Sequence, residues 1–521
     1  MVLLYSMKWE VLSKDKDIIK TLLKNRGIED AKEFFNPKFP ESPKLNYKKA
    51  IARIKKAKIN KEKVIIYGDY DADGICATAI LWEALHEYGI DVLPYIPDRF
   101  SDGYGINPKS VEKLKDSKLI ITVDNGIVAY DGIAKAKELG IDVIVLDHHT
   151  KGTKKLPTPY ILHTTAICGS VLAYFFSKEL GINKGLDLAA IGTIADQMPL
   201  VGINRSIVKY GLEELGKTKR LGLNALFSDS KIEQVGTYEV NYIIAPRINA
   251  MGRLAQGLDS LRLLCTIKND RAQELSKLLT KTNLDRQKIV DTVVVHTLRE
   301  TQGKQNKIIV IAHESYHEGV IGLAAGKLVE EFYRPSIVIS KGKEKSKASA
   351  RSISGFNIIE AIKKTELIIE GGGHPMAAGF SIATNKIEEF TLSINKYSEK
   401  LLTDEILEKK LKIDMEVNFD QLNYDLLEKL EQFDPTGLGN PGPTFVTRKV
   451  KVVEAKPVGK EKTHLKLKLK QDNITFDAIA FGLATRYSLM ANNLIDVVYT
   501  LEDNTWNGNK TLQLKVKDIK I

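Results

Sequence analysis

The sequence predicts an α/β protein in three parts: a doubly wound parallel-sheet domain, a second α/β unit joined to it by a long helix, and a C-terminal β-barrel. Three observations carry this. Between residues 61 and 215, aliphatic runs alternate with amphipathic helical stretches, the pattern of a parallel sheet covered by helices on both faces. Residues 269–300 are polar, helical in period and free of Gly and Pro, which makes one long helix. Beyond residue 410, runs such as Leu465-Lys-Leu-Lys-Leu-Lys470 and Leu512-Gln-Leu-Lys-Val-Lys517 alternate strictly, so each strand buries one face of an antiparallel sheet.

A chain of 521 residues is too long for one hydrophobic core. In order, residues 1–50 read as an N-terminal helical extension, 51–268 as the first α/β domain, 269–306 as the connecting helix, 307–402 as the second α/β unit and 403–521 as the barrel. The first domain has strands at Val64-Ile-Ile-Tyr67, Leu119-Ile-Ile-Thr-Val123 and Val143-Ile-Val-Leu146, continuous apolar runs of the kind that parallel strands buried on both faces need. Helices are expected over 76–88 and 129–139. The second unit opens with a strand over 307–312, then a helix over 319–332 and a strand over 336–340.

Lys and Arg (77) outnumber Asp and Glu (66), a formal charge of +11. A basic chain with a locally acidic crevice suits a polyanionic substrate, although on charge alone a lysine-rich solvated surface is the simpler reading. Three cysteines, Cys76, Cys168 and Cys265, show no C-x-x-C spacing, which excludes a disulfide framework or zinc knuckle and fits a reducing compartment. The apolar start Met1-Val-Leu-Leu-Tyr5 is too short for a signal core, and no stretch approaches the ~20 apolar residues of a membrane span. The expected location is the cytoplasm.

Each of the three strands in the first domain ends in acids or histidines: Gly68-Asp-Tyr-Asp-Ala-Asp-Gly74, Val123-Asp-Asn-Gly126 and Asp147-His-His149, with Ala195-Asp196 closing a later segment. In an open α/β sheet, ligands bind beyond the carboxyl ends of the strands, so these clusters should converge on one crevice. The first cluster also starts like an EF-hand calcium loop, but the bidentate Glu required at position twelve is replaced by Ile80. Asp71 and Asp73 are instead expected to reach the crevice from a tight turn permitted by Gly74. A lone Asp-x-Asp is usually a solvated turn and adjacent histidines are usually surface residues; four such clusters at element ends outweigh that reading. Carboxylates mixed with imidazole suit Mn²⁺ or Mg²⁺ better than structural Zn²⁺. Two such ions sharing a carboxylate point to phosphoester hydrolysis.

Two nucleotide motifs are rejected. Gly211-Leu-Glu-Glu-Leu-Gly-Lys-Thr218 spells a P-loop, but follows a helical stretch and carries two acids where phosphate would sit, so it reads as a helix ending at Gly216. Gly437-Leu-Gly-Asn-Pro-Gly442 has no preceding strand and reads as a turn. In the second unit, Gly371-Gly-Gly-His-Pro-Met-Ala-Ala-Gly379 allows close approach of a phosphate with His374 as donor, set against an equal chance of a tight turn around a buried histidine. Ala348-Ser-Ala-Arg-Ser352 offers a guanidinium and hydroxyls for an anion, and Arg99 lies in a turn at the crevice.

Together these residues resemble the DHH phosphoesterase superfamily and, within it, the RecJ single-stranded-DNA-specific exonucleases. The four acidic clusters match the superfamily motifs, and 371–379 matches the signature of the DHH-associated domain. Asp98-Arg-Phe-Ser-Asp-Gly-Tyr-Gly105, Ala245-Pro-Arg-Ile-Asn-Ala-Met-Gly-Arg253, His317-Glu-Gly-Val-Ile-Gly322, Arg351-Ser-Ile-Ser-Gly-Phe-Asn357 and Gly437-Leu-Gly-Asn-Pro441 resemble RecJ more specifically, so the likeness runs from about residue 60 to at least 445. It implies that Asp71, Asp73, Asp124, His148 and Asp196 hold two ions of Mn²⁺ or Mg²⁺, with Asp69 as a ligand or just behind them. His149, beside them, would ligate, support or protonate, and Asp147 joins the catalytic set. Arg351 with Ser349, together with Arg99 and one of Arg247 or Arg253, would bind the 5′-phosphate end or nearby backbone, and His374 the scissile phosphate.

The resemblance further implies 5′ to 3′ degradation of single-stranded DNA to mononucleotides by a monomer, in repair and recombination. Helicase and single-strand-binding protein are its expected partners. The C-terminal barrel would be an OB-fold that holds the strand, a role suited to Lys466, Lys468 and Lys470 on one strand face, although a solvated edge explains them equally. One departure stands out: some superfamily members have a metal-binding histidine where Tyr67 stands, and a phenol is a poor substitute. Two other readings are weighed. A small-substrate phosphodiesterase acting on short oligoribonucleotides or cyclic dinucleotides is opposed by the extra β domain. A non-catalytic replication-fork subunit is opposed by the filled ligand positions.

Overall fold

The computed structural model describes residues 7–301, 306–484, 493–506 and 509–521. The chain forms two compact units, one of Asp30–Arg286 with Asp434–Pro441, the other of Met1–Glu29, Gln287–Phe433 and Gly442–Ile521.

The first unit is built on five parallel strands in the spatial order Val92–Tyr95, Val64–Tyr67, Leu119–Val123, Asp142–Asp147 and Tyr160–His163. From Val64–Tyr67 the chain crosses to one neighbour and then returns to the other side, at Leu119–Val123. The topology therefore reverses between these two strands, and a crevice opens where their following loops part. One face of the sheet is covered by apolar helices, among them Ala72–Glu87, Gly169–Glu179 and Leu186–Ala195. On the other face Ile65, Tyr67, Val143 and Val145 pack against Val111, Ile133 and Ala136 of the helices Pro108–Lys113 and Tyr130–Glu138.

Helix Ala72–Glu87 starts four residues before the predicted 76, because Asp71 accepts the Gly74 amide and caps it. Gly74 is therefore a residue of the first helical turn, and no left-handed turn is present there. A Cβ at Gly74 would lie 2.6–2.8 Å from Asp69 backbone and Cβ atoms, so the glycine serves close packing. The would-be P-loop is helix Gly202–Leu215 capped at Gly216. The 437–442 stretch is a turn closed by pairing of Gly437 with Asn440, fixed by the Leu200 amide donating to the Leu438 carbonyl.

The second unit contains two sheets. One has five strands, in the order Ile368–His374, Ala377–Ala383, Lys345–Arg351, Ser336–Ser340 and Ile309–His313, with only the last pair parallel. In the other, Phe445–Val458, His464–Gln471, Ile474–Ala480, Asn509–Lys520 and Leu494–Trp506 pair in sequence around the sheet, and Leu494–Trp506 pairs back onto Phe445–Val458, closing a barrel. Lys466 and Lys468 point outward on His464–Gln471 while Leu465, Leu467 and Leu469 fill the core, and Lys470 is half-buried on the same face. The N-terminal segment is not wholly helical: strand Lys8–Ser13 pairs in parallel with Lys410–Glu416 and extends the barrel sheet. Helix Asn269–Glu300 has the bounds read from the sequence, and the division at 286/287 falls inside it.

Candidate active site

The crevice at the topological switch of the first unit collects the predicted acids. Asp69 follows the strand Val64–Tyr67 and accepts the Tyr70 amide at 2.7 Å. Two residues on, Asp71 caps helix Ala72–Glu87. Asp73, inside that helix's first turn, reaches across to a second helix and accepts the amides of Gly169 at 2.6 Å and Ser170 at 3.0 Å. Those amides begin Gly169–Glu179, so the carboxylate is held by the exposed donors and positive end of that helix. Only glycine fits at two surrounding positions: a Cβ at Gly192 would sit 2.2 Å from Asp73 Oδ1, and one at Gly169 would sit 2.6 Å from Asp124 Cβ.

Asp124 directly follows the strand Leu119–Val123 in left-handed backbone conformation, with φ of 61°, an arrangement uncommon outside glycine and tolerated by Asp. His148 Nε2 lies 3.1 Å from Asp124 Oδ1 and 3.6 Å from Asp196 Oδ2. Asp196 ends helix Leu186–Ala195. His149 donates from Nδ1 to Asp147 Oδ1 at 2.8 Å. Asp147 also accepts the His149 amide at Oδ1 and the Ile127 amide at Oδ2. Oδ1 of Asp147 thus orients His149 while Oδ2 is held by the Ile127 amide, and the ring's Nε2 faces Tyr104 Oη at 3.5 Å.

Burial, reinforced by neighbouring carboxylates, pushes Asp69, Asp71 and Asp124 above the usual carboxylate range and Asp196 up to about 8. The hydrogen bond that His149 donates to Asp147 favours the charged ring and raises His149 up to about 9, whereas burial lowers His148. Asp124 Oδ1 is buried and, beside its contact with His148 Nε2, accepts no hydrogen bond among the described residues. Three triplets bring ligand atoms within 4.8 Å of one another: Asp69, Asp71 and Asp124; Asp73, His148 and Asp196; and Asp124, His148 and His149. Mutually repelling carboxylates around a buried oxygen that accepts no hydrogen bond are what divalent cations neutralise, so this donor set fits metal. Asp124 occurs in two of the triplets, as a residue shared between two ions would.

Among the other predicted residues of this unit, Arg99 lies over the Tyr70 ring at 5.0 Å, and its charge and that of Arg253 lower Asp69 and Asp71 respectively. Arg247 donates from Nη1 to the Ile243 carbonyl at 2.8 Å and from Nε to Thr280. Of the two candidates, Arg253 therefore lies within electrostatic reach of the acids, while Arg247 braces backbone. Tyr67 is buried in the far face of the sheet and donates to the Gly105 carbonyl at 3.0 Å. Sequence reasoning missed Asn249, whose Oδ1 accepts the Ala72 amide at 2.7 Å and ties helix Ala245–Leu254 to the Asp71 cap. It also missed the amides of Gly169 and Ser170, for which a Gly-Ser pair opening an apolar helical run was the available signal. His163, which donates to the His149 carbonyl at 2.7 Å, left no sequence signal.

The remaining predicted residues lie in the second unit, on one face of its five-stranded sheet: that face is open at Gly372, His374 and Gly379, while helix Ile321–Phe332 covers it over Val338 and brings Gly322 close to Ser349 and Arg351. Register places Arg351, Ala377 and His374 in one row across three strands, and Ser349, Gly379 and Gly372 in the next. Ala348, Ala350, Ala378 and Phe380 point to the core. His374 is exposed at the end of a strand, which rules out the buried-histidine turn. Gly372 and Gly379 have neither positive φ nor any atom within 4 Å of a built Cβ, so the protein itself places no demand for glycine there. An open, side-chain-free strip flanked by Ser349 and Arg351 is what close approach of a ligand backbone requires.

Comparison with known proteins agrees with this geometry. Family models match for the DHH family N-terminal domain over residues 63–193, the DHHA1 domain over 305–400 and the RecJ OB domain over 413–518. The single-stranded-DNA-specific exonuclease RecJ of Bacillus subtilis is 33% identical, covering 99% of this chain and 71% of its own. The crystal structures of RecJ from Thermus thermophilus in complex with Mn²⁺ and with Mg²⁺ superpose with TM-scores of 0.87 and 0.80 at 28% and 27% identity. Each covers 99% of this chain, and 79% and 78% of their own. The chain belongs to the RecJ family of DHH proteins.

Proposed function

We propose that this chain is a Mn²⁺- or Mg²⁺-dependent exonuclease that hydrolyses single-stranded DNA from the 5′ end to mononucleotides. The observation that carries the reading is the convergence of Asp69, Asp71, Asp73, Asp124, His148 and Asp196 on one switch-point crevice, with the buried Oδ1 of Asp124 facing His148. Asp71, Asp73, Asp124, His148 and Asp196 would hold two ions, with Asp69 completing one set and His149 adjoining the other. When bound, the ions supply Lewis acidity toward water and the phosphoryl oxygens. His149, set by Asp147 and carrying a proton near neutral pH, can donate to the departing oxygen from Nε2.

Arg99 and Arg253 supply positive charge beside the acids, and Ser349, Arg351 and His374 line the open strip on which the strand's phosphates lie. The barrel, with its outward lysines, holds the strand further along. Arg247 is assigned to bracing. We place hydrolysis in residues 51–268, phosphate contact in 307–402 and strand holding in 403–521. The three free cysteines suit a reducing cytoplasm, where the chain would act as a monomer with a helicase and a single-strand-binding protein in DNA repair and recombination. Incubation of 5′-phosphorylated, 3′-labelled single-stranded DNA, RNA and duplex with each metal tests the reading. Release of mononucleotides from single-stranded DNA is expected; cleavage of short RNA alone, or none with either metal, overturns it.

A further inference from the structure

Tyr238 and Tyr242 are 61% and 66% exposed, and their rings lie 4.9 Å apart at 39°. They belong to the turn Thr237–Glu239 and the π-helical segment Val240–Ile244, which runs without interruption into helix Ala245–Leu254. A π turn inside a helix costs regularity and recurs at functional positions. Residues four apart share a face one turn apart, so Tyr242 stands beside Tyr238 on the same side of the element. Arg247 holds that turn through the Ile243 carbonyl.

The same helical element is tied to the metal crevice at two points. Asn249 accepts the Ala72 amide beside Asp71. Asn241, between the two tyrosines, accepts from Gln197 Nε2 at 2.7 Å, and Gln197 directly follows Asp196. The paired aromatic faces thus continue the site along one rigid rod, whose other end carries Arg253. Two solvent-exposed aromatics without a demand from the core suit a partner that offers flat rings with a polar edge.

Resting on the reading of the crevice as a single-strand nuclease site, we infer that Tyr238 and Tyr242 form a stacking platform for nucleobases of the strand being degraded. Such stacking tolerates every base, because each has a π-face, and it positions the strand without reading its sequence. The tyrosines would bind substrate and take no part in the chemistry.

The test compares the wild type with a Tyr238→Ala/Tyr242→Ala variant and a Tyr238→Phe/Tyr242→Phe variant, all full-length and loaded with Mn²⁺. Each is assayed on 5′-phosphorylated single-stranded DNA, intact or with abasic sites at successive positions. For the wild type, KM is expected to rise about tenfold when abasic sites fall on the platform, the size of one lost stack. The Ala variant should show that rise already on the intact strand, at little-changed kcat, and no further response to abasic sites. The Phe variant, which keeps the stacking faces, should behave as wild type. An Ala variant with wild-type KM on the intact strand, or one penalised by abasic sites as strongly as the wild type, overturns the platform while leaving the nuclease reading intact. Failure of the wild type to cleave any single strand overturns both.

Discussion

The metal crevice and the open strip of the second unit both depend on glycine, for opposite reasons. In the crevice, Gly169 and Gly192 are glycine because protein atoms already fill the space: the carboxylates of Asp124 and Asp73 stand where a Cβ would go. On the strip, no atom of the described residues lies within 4 Å of a Cβ built on Gly372 or Gly379, and on the proposed function their missing side chains would make room for the substrate. The energetic characters differ in the same way. Buried like charges cost folding free energy until a cation arrives, whereas an exposed glycine strip costs only backbone entropy and lost strand packing. A hydrolytic centre thus consumes stability, and a substrate surface is nearly neutral to it. Changes that separate stability from activity should therefore sort the two regions.

The largest effect is expected from Asp124. Asp124→Ala should reduce cleavage by more than the ~10–100-fold that a residue behind the ligands typically costs, while single-strand binding stays measurable in a filter or anisotropy assay. In the absence of metal, Asp124→Asn should melt at a higher temperature than the wild type, since it relieves repulsion with Asp73, Asp71 and Asp69. Its rise in melting temperature on adding Mn²⁺ should shrink, because less binding energy is linked to folding. Wild-type turnover in Asp124→Ala, or an undiminished Mn²⁺ shift in Asp124→Asn, would remove this residue from the metal site.

Next come paired glycine variants. Gly169→Ala should lose both stability, by about 1–3 kcal/mol from overpacking against Asp124, and cleavage, because Asp124 must move. Gly379→Val should keep or slightly raise the melting temperature, as a β-branched residue on an exposed strand, yet raise the KM for single-stranded DNA about tenfold or more by blocking the approach. If Gly379→Val leaves KM unchanged, the strip is not a substrate surface and the contrast between the regions collapses.

Arg351→Lys tests the same surface more gently. Lysine keeps the charge but loses the planar fork that grips a phosphate with two hydrogen bonds, so a fall in kcat/KM of about tenfold, at unchanged melting temperature, is expected. A variant equal to the wild type would reduce Arg351 to a diffuse positive charge.

These contrasts also mark what the sequence could and could not convey. The strands Val64–Tyr67 and Leu119–Val123 were legible because burial on both faces demands continuous aliphatic runs, and helix Asn269–Glu300 because nothing in it breaks a helix. Asp69, Asp71, Asp73, Asp124, His148 and Asp196 were legible as a group because strand ends converge in an open sheet. The roles of Gly169 and Gly192 were not, since what a glycine makes room for is decided by atoms distant in sequence. Likewise, the orientation of Tyr67 depends on which sheet face its place in the strand selects, and a strand buried on both sides carries no polarity signal to reveal it. Strand Lys8–Ser13 was hidden because it pairs with residues some 400 positions away, and its short alternating run follows the pattern of its partner.

The smallest effect concerns Glu370, which shares the face of the strip in the row beyond Gly372, opposite Ser381 and Lys347. Lys345, assisted by Ser381 and Lys347, holds its carboxyl down to about 2, and Lys345 Nζ lies 2.6 Å from Oε1. All three charged side chains are solvated, so the pairs contribute little to folding, and Glu370→Gln should leave the melting temperature within error. Its consequence is electrostatic. Glu370 neutralises two lysines that would otherwise extend the positive flank made by Arg351. Freed of it, they can reach phosphates of a strand lying along the glycines, and KM should fall about two- to threefold at low salt, by roughly the small energy of a surface pair. The dependence of log KM on log salt should steepen by about 0.7 for each lysine that engages a phosphate. A salt dependence identical to that of the wild type would mean that the strand leaves the strip before reaching Glu370, which would confine substrate contact to the rows of Arg351 and Ser349.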